Sequence, residues 1–259
     1  MRLWGMARPM AWLLLAAVLL PVSATGALAA ADACDVPEDL AIVHFPADHA
    51  YARFKARLPV RILVLGSTSS TGSNLWASKG LGASFKAYPR LIEAALESAA
   101  PGRSVTVTDR TAPGQTAALI VQRLPALLAE TAADLVIWEA GTTDAVKRID
   151  VNAFGDTLDD GLHFLAEKGI DVILVDVQYS PQTDSLYDFQ PYLDYLQQVA
   201  EADGVNVLKR HDIMRHYTEE GRFDPGARIP ADQVRNAGFV HACLARRLAG
   251  MILAAAQQQ

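Results

Sequence analysis

The strongest constraint on this sequence is a regular alternation of short apolar runs with longer helical patterns. Five runs have the length and the valine, isoleucine and leucine content of strands buried on both faces, namely residues 61–65, 105–107, 135–138, 172–175 and 205–207. Helical periodicity separates and follows them, near residues 88–96, 116–128, 153–167, 192–202 and 237–253. This order predicts right-handed crossovers and a mostly parallel sheet with helices on both faces, which is an α/β fold.

The composition supports one packed domain. Hydrophobic residues make up 51% of the chain and charged residues 20%, with a mean hydropathy of +0.14, which excludes disordered, collagen-like and cysteine-scaffolded classes. No linker, charge block or internal repeat interrupts the chain after its first thirty residues. We therefore expect a single domain over residues 59–259, preceded by an N-terminal arm over residues 30–58.

Residues 1–29 have the pattern of a signal peptide. Arg2 and Arg8 give a basic start, residues 10–22 are almost unbroken apolar sequence, and Ala27-Leu28-Ala29 is typical of a cleavage site. The apolar run is shorter than the ~20 residues of a comfortable membrane span. We expect export to the periplasm or the medium without stable membrane insertion after cleavage, while an uncleaved N-terminal anchor stays open.

The net charge of the chain limits the classes of partner that it is expected to bind. The chain has 23 basic and 29 acidic residues, and without Arg2 and Arg8 the basic count falls to 21, for a net charge of about −8. An acidic surface argues against nucleic acid and anionic lipid as partners. The expected partner is a small neutral or anionic ligand.

The two cysteines, Cys34 and Cys243, leave two interpretations. An exported chain enters a compartment where disulfides form, so one bridge between the arm and the last helix is one of them. The favoured interpretation is that Cys243 is a buried apolar residue and Cys34 is a free thiol near a flexible end, because pairing does not follow from sequence.

The loops after the predicted strands are the place to look for chemistry, since ligands of parallel sheets bind beyond the carboxyl ends of the strands. Four segments stand out for their glycines, hydroxyls and charges: residues 66–72, 112–114, 141–144 and 232–238.

In these segments, four blocks stand in the order of the SGNH or GDSL hydrolases and resemble that family. Residues 65–70 are similar to its first block, Gly114 to the second, residues 141–144 to the third and residues 232–235 to the last. The resemblance covers residues 61–249. It implies a flavodoxin-like three-layer sandwich with a five-stranded sheet, and the ancestry of esterases, lipases, thioesterases and carbohydrate deacetylases.

The departures from the family pattern fall on the reactive positions. Where the family has a nucleophilic Ser, an oxyanion-binding Asn and a basic His, this chain has Thr68, Thr143 and Arg235. Gly114 and Asp232 match. By resemblance, Thr68, Asp232 and Arg235 occupy the triad positions, and Gly114 and Thr143 the oxyanion positions.

The replacement of the base is chemically the most serious. A general base must accept a proton and return it, whereas Arg235 has no acceptor lone pair and titrates above ~12. The methyl group of Thr68 crowds the attacking oxygen, and loss of one oxyanion donor such as Asn typically costs ~10²–10³ in rate. The resemblance therefore implies an impaired hydrolase that binds an ester, acyl or glycan-like ligand.

Two alternatives stay open. An active esterase or deacetylase with a rearranged site would use Thr68 or a neighbouring serine with a displaced histidine. His211 and His216 follow the fifth strand, whereas His241 lies nearly two helical turns beyond Arg235 and is expected to point elsewhere. A structural partner in an envelope assembly would instead use a surface outside the pocket.

Asp232 and Arg235 also have two interpretations. At i and i+3 near a helix start they fit an ordinary ion pair, with Asp232 as a capping acceptor. In the functional interpretation, Arg235 is a fixed cation at the pocket mouth that holds a carboxylate or phosphate. No cluster of His, Cys, Asp and Glu has metal-ligand spacing, and we expect neither a metal nor a cofactor.

Overall fold

The predicted strands all form, and they join one sheet. The computed structural model describes Met1, residues 32–67 and residues 86–257; the predicted signal segment beyond Met1, and Thr68, lie outside the described residues. The chain divides into two units, Met1–Asp32 and Ala33–Gln259, and the sheet with its helices belongs to the second.

The sheet has five parallel strands in the order β2-β1-β3-β4-β5. The strands are β1 (Val60–Leu65), β2 (Val105–Asp109), β3 (Leu135–Glu139), β4 (Asp171–Val175) and β5 (Asn206–Leu208). In the register, Ile62 pairs with Val107 on one side and with Leu135 on the other. The α/β fold with a five-stranded parallel sheet is therefore confirmed, and each strand lies within two residues of its predicted position.

Helices cover both faces of this sheet. They are α1 (Asp48–Lys55), α2 (Ile92–Ala99), α3 (Ala117–Thr131), α4 (Thr142–Val146), α5 (Val151–Glu167), α6 (Pro181–Asp184), α7 (Gln190–Asp203), α8 (Arg210–Glu219) and α9 (Pro230–Ala255). Two 3₁₀ turns, Glu38–Leu40 and Tyr88–Arg90, add to them. Side chains cap the first turns of two of these helices: Thr116 accepts a hydrogen bond from the amide of Leu119, and Asp150 accepts from the amides of Asn152 and Ala153.

Successive side chains of each strand point to opposite faces of the sheet, so a hydrophobic core forms on each face. Ile62 and Val64 of β1 point to the layer that contains α9, whereas Leu63 and Leu65 point to the layer that contains α3, α5 and α7. The sheet is therefore the middle of three layers. Residues from the predicted arm belong to the first core, because Ala50 and Phe54 of α1 are buried in it.

Two hydrogen bonds show which way α9 runs relative to the strands. The amide of Ala47 donates to the carbonyl of Ala255 at the end of α9, and the amide of Ala50 donates to Asp171, the first residue of β4. The end of α9 thus lies at the edge where strands begin, and its first turn lies at the edge where they end. Within the described residues α9 alone is long and apolar enough to cross a membrane by length and composition, and 44% of the relevant window is buried in the fold.

The favoured interpretation of the cysteines is wrong. Cys34 and Cys243 form a disulfide that closes a sequence separation of 209 residues, and their side chains belong to the first core. Cys34 is not near a loose end, because Tyr217 donates to its carbonyl at 2.8 Å and Arg247 at 3.0 Å. The other interpretation, a bridge between the arm and the last helix, is therefore confirmed.

Candidate functional site

The loops that carry the two predicted oxyanion positions are linked to each other at the carboxyl edge of the sheet. Asp144, buried at the start of α4, accepts from the amide of Ala117 at 3.0 Å, which ties the loop of Thr143 to the loop of Gly114. Lys147 adds a second link, because its Nζ donates to the Gly114 carbonyl at 2.8 Å. Gly114 has a φ of +68°, so this turn favours glycine.

Thr142, the neighbour of Thr143, is an acceptor that anchors this loop. Its Oγ1 accepts from the amide of Gln178 at 3.0 Å and from Arg210 Nη2 at 3.3 Å. The side chain of Thr142 thereby joins the loop after β3 to the loop after β4 and to the first residue of α8. Thr143 itself is partly exposed at the same edge.

The loop that carries the predicted nucleophile begins directly above a buried glutamate. Gly66 follows β1 with a φ of +152°, and a Cβ added there would lie 2.6 Å from Glu139 Cβ and 2.8 Å from Glu139 Oε2. Only glycine allows this approach. Ser67 is partly exposed, and Thr68 follows it outside the described residues.

Asp232 lies in the first turn of α9 and Arg235 in the second, and the helix direction places both at the same edge. Arg235 Nη2 contacts Asp232 Oδ1 at 2.7 Å, and the Arg235 side chain is 73% exposed. The ordinary ion pair expected from their spacing therefore forms, but Asp232 is not the capping acceptor, because Ile229 is the N-cap residue and no side chain accepts a hydrogen bond there. The structure links the loops of Gly114 and Thr143 and pairs Asp232 with Arg235, whereas the convergence of these residues with Thr68 on one pocket stays a prediction.

Three buried charges lie beneath this edge and form what we call the ion cluster: Glu139, Asp176 and Arg210. Glu139 ends β3, Asp176 follows β4, and Arg210 begins α8 after β5. Arg210 Nη1 lies 3.5 Å from Glu139 Oε2, with side chains only 2% and 3% exposed. Tyr88, fully buried, donates its hydroxyl to Glu139 Oε1.

Both carboxyl groups of the ion cluster titrate far from their ordinary range. Burial raises the pKa of Glu139 to about 7, although the charge of Arg210 and the hydrogen bond from Tyr88 oppose it. Burial likewise raises the pKa of Asp176 to about 7, against the hydrogen bond from the His211 amide at 2.8 Å and the charge of Arg210. Among the described residues, Glu139 Oε2 and Arg210 Nε are buried without a hydrogen-bond partner.

His211 is held between two carboxylates. Its Nε2 lies 3.1 Å from Asp184 and its Nδ1 3.4 Å from Asp212. Burial lowers the pKa of His211, but the hydrogen bond to Asp212 and the charge of Asp184 outweigh it and raise the pKa above its ordinary value. Each ring nitrogen therefore lies within hydrogen-bond reach of a carboxylate.

His241 faces Tyr88 rather than Arg235, in agreement with the helical spacing. Its Nδ1 accepts from the Tyr88 amide at 3.1 Å, and the two rings stack with centroids 5.9 Å apart. Burial and the charge of Arg210 lower the pKa of His241 to about 3. The imidazole is therefore neutral near pH 7, with its proton on Nε2.

A cavity of about 460 Å³ opens at the same edge beside His211. Its wall is made by the segment from α6 to the start of α7, which includes Asp184, Tyr187 and Asp188. The wall is acidic and partly aromatic.

A group of residues able to hold a cation lies elsewhere. Asp159, His163 and Asp203 place ligand atoms within 4.8 Å of one another. The prediction that no cluster has ligand spacing misses this group, because Asp203 joins it only through the packing of α7 on α5. Side chains of Asp159 and His163 are 48% and 63% exposed and lie 3.5 Å apart as an i,i+4 ion pair.

Sequence reasoning missed the ion cluster, although a signal for it exists. Glu139 and Asp176 are acidic residues placed directly at the ends of two apolar strand runs, where the neighbouring strand residues are fully buried. A charge at such a position indicates a buried, perturbed carboxyl group at the functional edge of the sheet.

Comparisons with known proteins agree with this architecture. A sequence model described as the non-GDSL lipase-like family matches residues 33–258. An arylesterase of Vibrio mimicus is 28% identical over 145 residues, which are 54% of this chain and 68% of that protein. Among solved structures, a variant of an acetyl xylan esterase from Geobacillus stearothermophilus aligns with a TM-score of 0.58 and 17% identity over 74% of this chain and 94% of that one.

A second solved structure, the lipase/acylhydrolase from Enterococcus faecalis, aligns with a TM-score of 0.53 and 18% identity, over 74% of this chain and 96% of that one. Likeness at this level of identity shows the fold. Together with the family match, these findings confirm the resemblance to SGNH hydrolases.

Proposed function

Because the chain belongs to the non-GDSL lipase-like family, we propose that it is an esterase-like protein that binds an ester, acyl or glycan-like ligand at the carboxyl edge without hydrolysing it. The observation that carries the proposal is the absence, among the described residues, of an imidazole free to act as base at this edge. Arg235, at the base position, is exposed and paired with Asp232. A guanidinium has no lone pair with which to accept a proton.

The described histidines near this edge are poor substitutes. Both ring nitrogens of His211 face carboxylates, so neither nitrogen is open to a hydroxyl in this arrangement. His241 accepts a backbone hydrogen bond at Nδ1, and a pKa of about 3 prevents it from holding a second proton near neutrality. General acid–base catalysis needs a pKa near the working pH. These contacts argue against a rearranged esterase built on either residue.

The other predicted site residues at the carboxyl edge of the sheet are suited to binding a small ligand. Gly114 and Thr143 are tied together by Asp144 and Lys147, so the two positions that face a carbonyl oxygen in the family fold are still held in one loop pair. A Thr hydroxyl at position 143 still has a donor for a small neutral ligand, and the exposed guanidinium of Arg235 suits an anionic group.

Export is part of the proposal. The N-terminal sequence has the order of a signal peptide, and the Cys34–Cys243 disulfide suits an oxidising compartment such as the periplasm or the medium. Terminal sequencing should find the mature protein beginning at or near Ala30, and the bridge should be present in protein recovered outside the cytoplasm. An intact Met1 in envelope membranes would indicate an anchored protein.

Hydrolysis of p-nitrophenyl acetate by the mature protein tests the proposal. We expect wild-type turnover at background and, at most, weak recovery in the Thr68→Ser/Arg235→His double variant, since nucleophile and base act as a unit. Recovery stays limited because Thr143 replaces the amide donor. Robust wild-type turnover that Thr68→Ala abolishes and Arg235→Ala leaves unchanged would overturn the proposal, because another base would then serve the site.

Binding is tested separately by calorimetry with acetylated xylo-oligosaccharide as the probe. A neutral sugar ester should bind wild type and the Arg235→Ala variant alike, whereas Thr143→Val, which removes the donor and keeps the volume, should weaken it about tenfold. Equal affinity of wild type and Thr143→Val would contradict binding at this loop pair.

A further inference from the structure

Three side chains from two packed helices meet on the opposite side of the fold from the candidate site. Asp159 and His163 lie on α5, and Asp203 is the last residue of α7. One ligand atom of each lies within 4.8 Å of the other two. His163 and Asp203 line a cavity that also reaches Asp171, the first residue of β4. The three side chains therefore lie at the edge where the strands begin.

The packing of α7 on α5 holds the histidine and the last aspartate near each other. Gly155 of α5 lies so close to the ring of Tyr195 of α7 that a Cβ added to Gly155 would clash with it. His163 and Asp203 each lie eight residues further along these helices, which is about 12 Å at ~1.5 Å per residue. Helix packing, rather than a surface loop, thus sets the distance between the two side chains.

The ring of His163 is oriented to bind a cation through Nε2. Its Nδ1 lies 3.1 Å from the carbonyl oxygen of Asp159, and a carbonyl can only accept, so Nδ1 donates a proton to it. In the neutral ring Nε2 then has the lone pair, and this atom lies 3.9 Å from Asp203 Oδ1. Metal-binding histidines almost always donate their other ring N–H to a carbonyl, a carboxylate or water.

Asp203 has an oxygen that lacks a partner. Its side chain is only 17% exposed, and Oδ2 is buried without a hydrogen-bond partner among the described residues. Its Oδ1 faces His163 at a distance too long for a hydrogen bond. The nearby Asp159 adds a second negative charge, which together with burial raises the pKa of Asp203. A carboxylate shielded in this way is costly unless a cation compensates it.

The surroundings of Asp203 also favour a cation. The helix α7 ends at Asp203, and the carboxyl end of a helix carries a partial negative charge. Zinc binds nitrogen and oxygen at ~2.0–2.2 Å, so two of its ligands lie up to about 4 Å apart. The separation of 3.9 Å between His163 Nε2 and Asp203 Oδ1 is within that limit. The adjoining cavity of about 220 Å³ has room for water ligands.

We propose that Asp159, His163 and Asp203 bind one divalent transition-metal cation of the zinc type, which links α5 to α7 and completes its coordination with water. An imidazole nitrogen with two carboxylates suits zinc, whereas Mg²⁺ and Ca²⁺ prefer ligand sets made of oxygen alone. The bound cation satisfies the shielded carboxylate of Asp203. The site is separate from the carboxyl edge and does not depend on the proposed function.

Calorimetric titration of the mature, untagged protein with ZnCl₂ at pH 7.5, after treatment with EDTA and its removal, tests the proposal. We expect one strong binding event per chain. His163→Ala and Asp203→Asn each remove a ligand and should weaken zinc binding at least about tenfold. His216→Ala is the matched control: His216 forms an i,i+4 pair with Glu220 at 3.5 Å, but among the described residues it belongs to no group of three ligands. This variant should bind zinc like the wild type.

Imidazole ¹H–¹⁵N NMR of the wild type identifies the atom that binds. Zinc should shift the Nε2 signal of His163, assigned from its loss in His163→Ala, and should leave the signals of His216 unchanged. No zinc binding by the wild type, or unchanged affinity in a folded His163→Ala or Asp203→Asn variant, would overturn the proposal. If Asp203→Asn does not fold, the exposed His163 and its NMR signal decide: an unshifted Nε2 would also overturn it.

Discussion

Strand β3 carries an acidic residue at each edge of the sheet, and the two have opposite fates. Asp134, just before the strand, accepts from the Arg61 amide at 2.8 Å and from Arg61 Nη2 at 2.7 Å. Burial would raise its pKa, but the hydrogen bonds from Arg61 outweigh it and lower the pKa. Glu139, at the end of the strand, keeps one oxygen without a hydrogen bond and a pKa of about 7.

The difference between Asp134 and Glu139 indicates that the two edges of the sheet have different roles. The amino edge satisfies its charge and stabilises the fold, whereas the carboxyl edge retains buried polar atoms that cost stability and lie directly under the loops of the candidate site. Departures from full satisfaction are expected at functional positions. Breaking equivalent interactions at the two edges should therefore have unequal effects.

The largest contrast concerns the two arginines. Arg210→Met leaves buried carboxyl groups without a cation and should lower the free energy of unfolding by about 3–5 kcal/mol. Arg61 is 41% exposed, so Arg61→Met should cost about 1 kcal/mol. Urea unfolding at pH 7.5 measures both, and equal losses would contradict the contrast between the edges.

Two glycines give the next contrast. Gly66→Ala drives a methyl group into Glu139 and should cost about 2–3 kcal/mol, as overpacking does. Gly102, before β2, has a φ of +80° but open space around it, so Gly102→Ala should cost only the backbone strain of about 1 kcal/mol. The comparison fails if thermal and urea unfolding rank the variants in the reverse order.

The smallest effect is the pH dependence of stability. Because the pKa of Glu139 is raised in the folded state, its contribution is present at low pH and is lost as pH rises towards 7. Glu139→Gln should therefore gain about 1–2 kcal/mol relative to wild type between pH 5.5 and 7.5. Asp134→Asn is the control: its lowered pKa affects stability only below about pH 4, so its difference from wild type should be constant over this range.

The sheet was predictable from sequence because strands buried on both faces must be continuously apolar, as residues 61–65 and 135–138 are. The helix expected from Tyr88 onward is instead a 3₁₀ turn followed by α2, and Pro89 stands in that turn. The position of Glu139 at the end of an apolar strand run is a sequence signal for a buried carboxyl group, but its contacts with Arg210 and Tyr88 were not predictable, because these residues come from distant segments that meet only in the fold. Hydrophobic periodicity predicts which face of a helix or strand is buried, but it does not predict which residues of distant segments come into contact.

We propose that the hydrolase fold persists here without an activated nucleophile. Incubation of the mature protein with a fluorophosphonate probe, which labels activated hydroxyl nucleophiles covalently, tests it most directly, with intact-mass and peptide mass spectrometry as the readout. The Thr68→Ser/Arg235→His variant serves as the matched comparison. We predict no adduct on the wild type after prolonged incubation; stoichiometric labelling of Thr68 or Ser67 in the wild type would contradict the account.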